Sequence, residues 1–117
     1  MEFKPTNQSF DNEYPKLVRD NIPEMIFKRS GKTAKVQIAD QDKEYLKYLF
    51  RKMVEEAKEL EYSIQVGNTQ EELADILEIV NAILELKGIK IEEIIKLQKE
   101  KRDKNGGFKN RIILLEK

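Results

Sequence analysis

Two short acidic runs, at residues 55–59 and 71–75, have the composition and spacing of a metal site. Glu56 and Glu59 are three residues apart, and so are Glu72 and Asp75. Residues three apart on a helix share one face, where like charges repel by about 0.2–0.5 kcal/mol per pair. A hard cation such as Mg²⁺ would reverse this repulsion. Because the chain has no His and no Cys, oxygen must hold any metal, which favours Mg²⁺ or Mn²⁺.

Each acidic run lies within a helical apolar pattern, and a break at 67–68 separates the two patterns. The apolar stripe of the first helix is Leu46, Leu49, Met53, Ala57, Leu60 and Ile64, and that of the second is Leu73, Ile76, Leu77, Val80, Ile83 and Leu84. At about 100° per residue, Glu56 and Glu59 lie roughly 80° and 140° from the first stripe. Glu72 and Asp75 lie at the same angles, in the same sense, from the second. Two antiparallel helices packed stripe to stripe would therefore carry all four carboxylates on one side.

Two simpler interpretations compete with metal binding. In a chain that is 38% charged, acidic helix residues are usually a solvated face. Glu72 is also placed to form a capping box with Thr69 by accepting a hydrogen bond from the Thr69 amide. Glu55 falls opposite its stripe, and we expect it to be solvated. The convergence of four carboxylates favours the metal site.

Composition limits the function further. The 117 residues suit a single domain, and 22 basic residues balance 22 acidic ones, which argues against nucleic-acid binding. Without Cys or His there is no disulfide and no thiol or imidazole nucleophile. No apolar run reaches transmembrane length, and the first residues lack the apolar segment of a signal peptide. We expect a cytoplasmic protein without membrane contact.

The pattern along the chain predicts an all-α fold, with four helices around the antiparallel pair. The predicted helices are one from Asp20 or Asn21 to Gly31, then 41–64, 69–87 and 91–104, and Gly or Asn marks their ends. Residues 1–13 show no periodicity and are predicted to be a flexible arm, so that the domain spans 14–117. Residues 33–38 and 111–115 are predicted to be short extended segments that could pair as strands.

Three stretches resemble one family. Residues 55–75 carry the pattern EExxE…ExxD of the all-α nucleoside triphosphate pyrophosphohydrolases, the MazG-like superfamily. Residues 17–23, LVRDNIP, resemble the "LVRDKIP" stretch of a small single-domain subfamily proposed to do house-cleaning, and residues 101–108, KRDKNGGF, resemble its "KREERGGF". The similarity spans residues 14–112. The chain departs from the subfamily at Asn21, usually basic, and at Lys90, usually a capping Ser or Thr.

The resemblance implies Mg²⁺-dependent hydrolysis of a nucleoside triphosphate to the monophosphate and pyrophosphate, as house-cleaning of noncanonical nucleotides. It implies Glu56, Glu59, Glu72 and Asp75 as metal ligands, and a homodimer or higher homo-oligomer. Either Glu55 or Glu59 would position or deprotonate the attacking water. The candidate phosphate-binding cations are Lys16, Arg19, Lys101, Arg102, Lys104 and Arg111. Tyr45, Tyr48, Phe50, Tyr62 and Phe108 are candidates for stacking on the base, although most are expected in the core.

Two alternatives stay open at this point. The related phosphoribosyl-ATP pyrophosphohydrolases share the acidic pattern, although the two flanking stretches favour the house-cleaning group. The second is a non-catalytic helical interaction module, such as a degenerate relative or an antitoxin-like partner. The intact set of four acids argues against degeneration, since loss usually begins with the ligands.

Overall fold

The computed structural model describes residues 14–117, so the arm predicted for residues 1–13 lies outside the described residues. This part of the chain forms four helices, namely α1 (Ile22–Ser30), α2 (Asp42–Val66), α3 (Thr69–Lys87) and α4 (Ile91–Asn105). It contains no strand. The all-α prediction is therefore confirmed, and the predicted helix ends differ from the observed ones by two residues or fewer at α2, α3 and α4.

Glycines in the left-handed region end the helices where the sequence predicts. Gly31 has a φ of 75° and donates its amide hydrogen bond to the Phe27 carbonyl at 2.8 Å, which ends α1. Gly67 has a φ of 98° and donates to the Ser63 carbonyl at 2.7 Å, which ends α2. A residue with a Cβ is strained at such φ values, so each glycine stops its helix at a defined place.

The two predicted extended segments form no strand. Residues 33–38 and 111–115 lack regular secondary structure. Val36 and Ile38 are 60% and 78% exposed, and Ile112 and Ile113 are more than 80% exposed. A two-stranded pairing is marginal in water unless a third strand or a helix covers it. Weak alternation over six residues was therefore too little to predict a strand.

The buried face of α2 overlaps the predicted stripe only in part, since Leu49 of the stripe is buried. Buried residues recur at seven-residue spacing along α2, at Leu49, Glu56 and Ser63, which is one face of a helix. Ala57 is exposed and Ile64 is 68% exposed, although both belong to the predicted stripe. Burial of Ser63 costs little because its hydroxyl donates to the Leu60 carbonyl at 2.7 Å. The contact face is thus rotated from the apolar stripe toward the acids.

The contacts divide the structure into two compact units, and the division falls within α3. The first unit extends to Ile83 and the second runs from Leu84 to Lys117. The predicted single domain over 14–117 stays a prediction. None of the helices described is long and apolar enough to cross a membrane.

The start of α4 shows how the chain manages without a Ser or Thr cap. Lys90 precedes α4, and its backbone amide donates to the Glu93 carboxylate at 3.0 Å. This bond is one half of a capping box, in which the acid in the first turn satisfies the amide just outside the helix. The departure at Lys90 therefore leaves the helix start intact.

Candidate metal centre

Five carboxylates from α2 and α3 form two overlapping groups. One group contains Glu55, Glu56 and Glu59, and the other contains Glu56, Glu72 and Asp75. In each group one oxygen per residue lies within 4.8 Å of the others. Glu56 belongs to both. The structure thus places Glu56 beside each of the other three predicted ligands, but it groups Glu59 with Glu55 and not with Glu72 and Asp75.

Glu56 lies at the centre of this cluster and is nearly inaccessible to solvent. The residue is only 6% exposed, and its Oε2 atom has no hydrogen-bond partner among the described residues. The Oε2 atom of Glu72 is buried in the same way, without a described partner. A buried polar atom without a partner costs about 1–3 kcal/mol, and more if it is charged. Such a cost is relieved by a proton or a bound cation.

The surroundings of Glu56 strongly favour its protonated form when no cation is present. The pKa of Glu56 is raised to about 9, from an ordinary value of 4.5, and burial is the largest cause. A hydrogen bond with the Glu72 side chain and the negative charges of Glu59, Asp75 and Glu72 contribute to the same rise. A bound divalent cation would lower the pKa of Glu56 again. It would stabilise the ionised carboxylate in place of the water lost by burial, and it would offset the repulsion between the carboxylates.

Glu55 is not solvated, so that expectation is wrong. Its side chain is 11% exposed, and its Oε1 atom accepts a hydrogen bond from Lys52 Nζ at 3.3 Å. Lys52 Nζ also lies 4.0 Å from Glu56 Oε1. The error follows from the rotated contact face of α2, which moves Glu55 from the solvent side to the flank of the acidic cluster.

Lys52 is the residue at this site that the sequence reasoning missed. It lies three residues before Glu55 and four before Glu56, which is the spacing at which helical side chains meet. Its side chain is only 22% exposed, so it lies inside the cluster rather than on a solvated face. This i, i+3 and i, i+4 spacing could have predicted from the sequence that Lys52 contacts both acids.

The six candidate phosphate-binding cations fall into two sets. Arg19, ahead of α1, donates from Nη2 to Asp75 Oδ1 at 2.7 Å and so reaches the acidic cluster. Lys16 lies in the same segment, beside Glu55 along a groove on α2. The other four candidates, Lys101, Arg102, Lys104 and Arg111, are exposed residues of the second unit, and their role stays a prediction.

Glu72 belongs to the acidic cluster and not to the cap of α3. Its carboxylate lies in one group with Glu56 and Asp75, and its Oε2 atom is buried. The capping box with Thr69 was the competing interpretation, and α3 begins at Thr69 itself, which leaves the cap position to Asn68.

Comparison of the chain with protein-family models, with curated proteins and with solved structures gave no match.

Proposed function

We propose that the protein is a Mg²⁺-dependent nucleoside triphosphate pyrophosphohydrolase that cleaves its substrate to the monophosphate and pyrophosphate. The observation that carries this proposal is the pair of overlapping carboxylate groups that share the buried Glu56. Five carboxylates close together on two helices repel one another, and this repulsion destabilises the fold unless a ligand offsets it. The resemblance of residues 14–112 to the MazG-like enzymes supports the same function.

The donor set fits a hard divalent cation. Its side-chain donors are carboxylate oxygens, which Mg²⁺ and Mn²⁺ prefer. The buried Oε2 atoms of Glu56 and Glu72 lack hydrogen-bond partners in the described structure, which supports an ion at this site. Glu56, Glu59, Glu72 and Asp75 would hold the metal. When bound, Mg²⁺ neutralises phosphate charge and lowers the pKa of a bound water.

The protein's own side chains would then divide the remaining tasks. Glu55 and Glu59 flank the buried Glu56 and are the carboxylates available to orient the attacking water or take its proton. Arg19 lies at the opposite group, where its guanidinium neutralises Asp75 and is positioned to bind a phosphate of the substrate. Hydrolysis adds water oxygen to one phosphorus of the α–β anhydride bridge and breaks that bridge, which releases pyrophosphate.

An exposed apolar flank supports the homo-oligomer as part of this proposal. Phe50 and Val54 of α2 are 57% and 55% exposed, and Leu73 and Leu77 of α3 are 50% and 55% exposed. An interaction module without catalytic activity would show the same flank, so this observation also favours that second candidate function.

The decisive experiment is pyrophosphate release from a panel of canonical and modified nucleoside triphosphates, with and without Mg²⁺. The panel includes phosphoribosyl-ATP, the substrate of the related enzymes. Glu72→Gln keeps the shape of the side chain but removes the charge, and it should lower the rate by at least 100-fold, the order seen when a group that stabilises transition-state charge is lost. Glu78→Gln, an exposed acid on α3, is the matched control and should retain full activity.

The proposal fails if no triphosphate releases pyrophosphate and if Mg²⁺ leaves the thermal unfolding temperature unchanged. That pair of results would favour the interaction module, whose acids would be a structural cluster.

A further inference from the structure

A groove of about 480 Å³ runs beside the acidic cluster, within the first unit. This volume is in the range of small-molecule sites, about 300–1,000 Å³. The side chains that matter for binding are two aromatic rings, three cations and one carboxylate, namely Tyr14, Tyr48, Lys16, Arg51, Lys52 and Glu55.

One wall of the groove is a single face of α2. Tyr48, Arg51, Lys52 and Glu55 follow the spacing i, i+3, i+4 and i+7, which places all four side chains on one stripe of the helix. The chemistry changes along this stripe from aromatic to cationic to acidic. From Tyr48 to Glu55 the helix rises about 10 Å, at 1.5 Å per residue.

The segment before α1 contributes a second tyrosine and a second cation to the groove, Tyr14 and Lys16, and its Arg19 reaches Asp75 of the acidic cluster. Along α2 the order therefore runs from an aromatic ring through cations to a carboxylate of the cluster. This order matches a nucleotide bound lengthwise, with its base at the rings, its α-phosphate at the cations and its α–β bridge at the carboxylates.

A cation of the same groove lies over each of the two rings. Arg51 Cζ lies 5.3 Å from the centroid of the Tyr48 ring, and Lys16 Nζ lies 5.3 Å from the centroid of the Tyr14 ring. Both are cation–π contacts of side chains with long flexible stems. Each cation can turn toward a phosphate while a base takes its place on the ring.

We propose that this groove is the nucleotide subsite of the proposed enzyme, in which Tyr14 and Tyr48 stack on the base and Lys16 and Arg51 bind the phosphates. The inference rests on the proposed function for the orientation of the nucleotide, but its test measures binding and not hydrolysis. Stacking does not read the edge of the base, so bases of different identity should bind with similar affinity.

The test compares two probes by isothermal titration calorimetry in the presence of Mg²⁺. One probe is the α,β-methylene analogue of ATP, whose α–β bridge resists hydrolysis, and the other is inorganic tripolyphosphate, which has no base. Tyr48→Leu should weaken binding of the analogue by about 5- to 150-fold and leave tripolyphosphate binding unchanged. Tyr14→Leu should act in the same direction, and Tyr14, at 76% exposure, can be replaced without unfolding the protein.

The matched controls separate the groove from general effects. Phe27→Leu removes an exposed aromatic ring of α1 outside the groove and should change neither affinity. Arg51→Gln should weaken both probes by at least about 10-fold, because it removes a cation at the phosphates. Lys43→Gln, an exposed cation at the start of α2 outside the groove, should weaken neither.

The outcomes distinguish the two proposals. If Tyr14→Leu and Tyr48→Leu bind the analogue as tightly as the parent chain, the groove is not the subsite, whether or not Mg²⁺-dependent hydrolysis is found. If the tyrosine variants lose the analogue selectively while no triphosphate is hydrolysed, the nucleotide subsite stands and the hydrolase function is overturned. If the parent chain binds neither probe, the subsite is overturned.

Discussion

Replacement of Glu56 by Gln should change how the stability of the protein depends on pH. Burial and the hydrogen bond with Glu72 raise the pKa of Glu56 to about 9, so the folded chain keeps this proton at neutral pH. In the unfolded chain the pKa returns to about 4.5, so the proton is released. The folded state therefore binds more protons than the unfolded state between these two values, and the free energy of unfolding must fall as the pH rises through this window.

The magnitude follows from the size of this window. One proton retained by the folded state lowers the free energy of unfolding by about 1.4 kcal/mol per pH unit. From pH 6 to pH 8, which lies inside the window, the free energy of unfolding of the parent chain should fall by at most about 3 kcal/mol through Glu56. The Glu56→Gln variant has no proton to release at this position, so it should lack this part of the decline and be the more stable chain at pH 8.

The assay is urea unfolding followed by far-ultraviolet circular dichroism at pH 6, 7 and 8, in the presence of EDTA. Glu78→Gln removes an exposed carboxylate of α3 and is the control for the loss of one negative charge. Its pH dependence should match that of the parent chain. If the free energy of unfolding of the parent chain and of Glu56→Gln changes with pH in the same way, the raised pKa of Glu56 is refuted. Such a result would show that Glu56 has the same protonation in the folded and unfolded states over this pH range.

Mg²⁺ extends the same measurement to the proposed function. A bound cation requires the ionised carboxylate, so saturating Mg²⁺ should release the proton and flatten the decline with pH in the parent chain. The stabilisation by Mg²⁺ should therefore be larger at pH 8 than at pH 6, and it should be lost in Glu56→Gln. A Mg²⁺ effect of equal size at both pH values would contradict a metal site at Glu56.

Two further predictions concern the ion pair and a helix end. A double-mutant cycle of Arg19→Gln and Asp75→Asn, measured by urea unfolding, should give a coupling energy of about 0.2–1 kcal/mol. The reason is that both side chains are more than a third exposed, so that solvent screens their charges. A coupling energy above about 2 kcal/mol would contradict the interpretation of a solvent-screened ion pair. Gly67→Ala should destabilise the protein by about 1–2 kcal/mol, since φ at Gly67 is 98°, in the left-handed region that strains a residue with a Cβ. The control is Gly107→Ala, where φ lies outside the left-handed region, and it should change the urea midpoint little. Equal midpoints for the two variants would count against strain at Gly67.

Much of the fold could be predicted from the sequence because its signals are local. Gly31 and Gly67 end helices for a conformational reason that no distant contact alters, and the helical apolar periodicity of 42–66 and 69–87 needs no knowledge of the partner. The three-residue spacing of Glu56 with Glu59 and of Glu72 with Asp75 also follows from the helix itself. These features were predicted correctly.

The rotation of α2 and α3 was decided only by packing. The structure buries Leu49 and Leu84 of the predicted stripes, but it also buries Glu56 and Ser63 and leaves Ile64 of the first stripe exposed. Hydrophobic periodicity identifies the face of a helix that is removed from water, but it does not identify which part of that face a neighbouring helix covers. Glu55 was misplaced for the same reason.

The sequence by itself thus determined the helices, their ends and the four acids that share a side of them. Only the tertiary structure decided that Glu56 is buried between two groups of carboxylates, that Lys52 and Arg19 reach those groups, and that Tyr14 and Tyr48 line one groove. The physical reason is that helical spacing is a property of the backbone, whereas burial, pKa and proximity between distant segments depend on how the helices are rotated against each other.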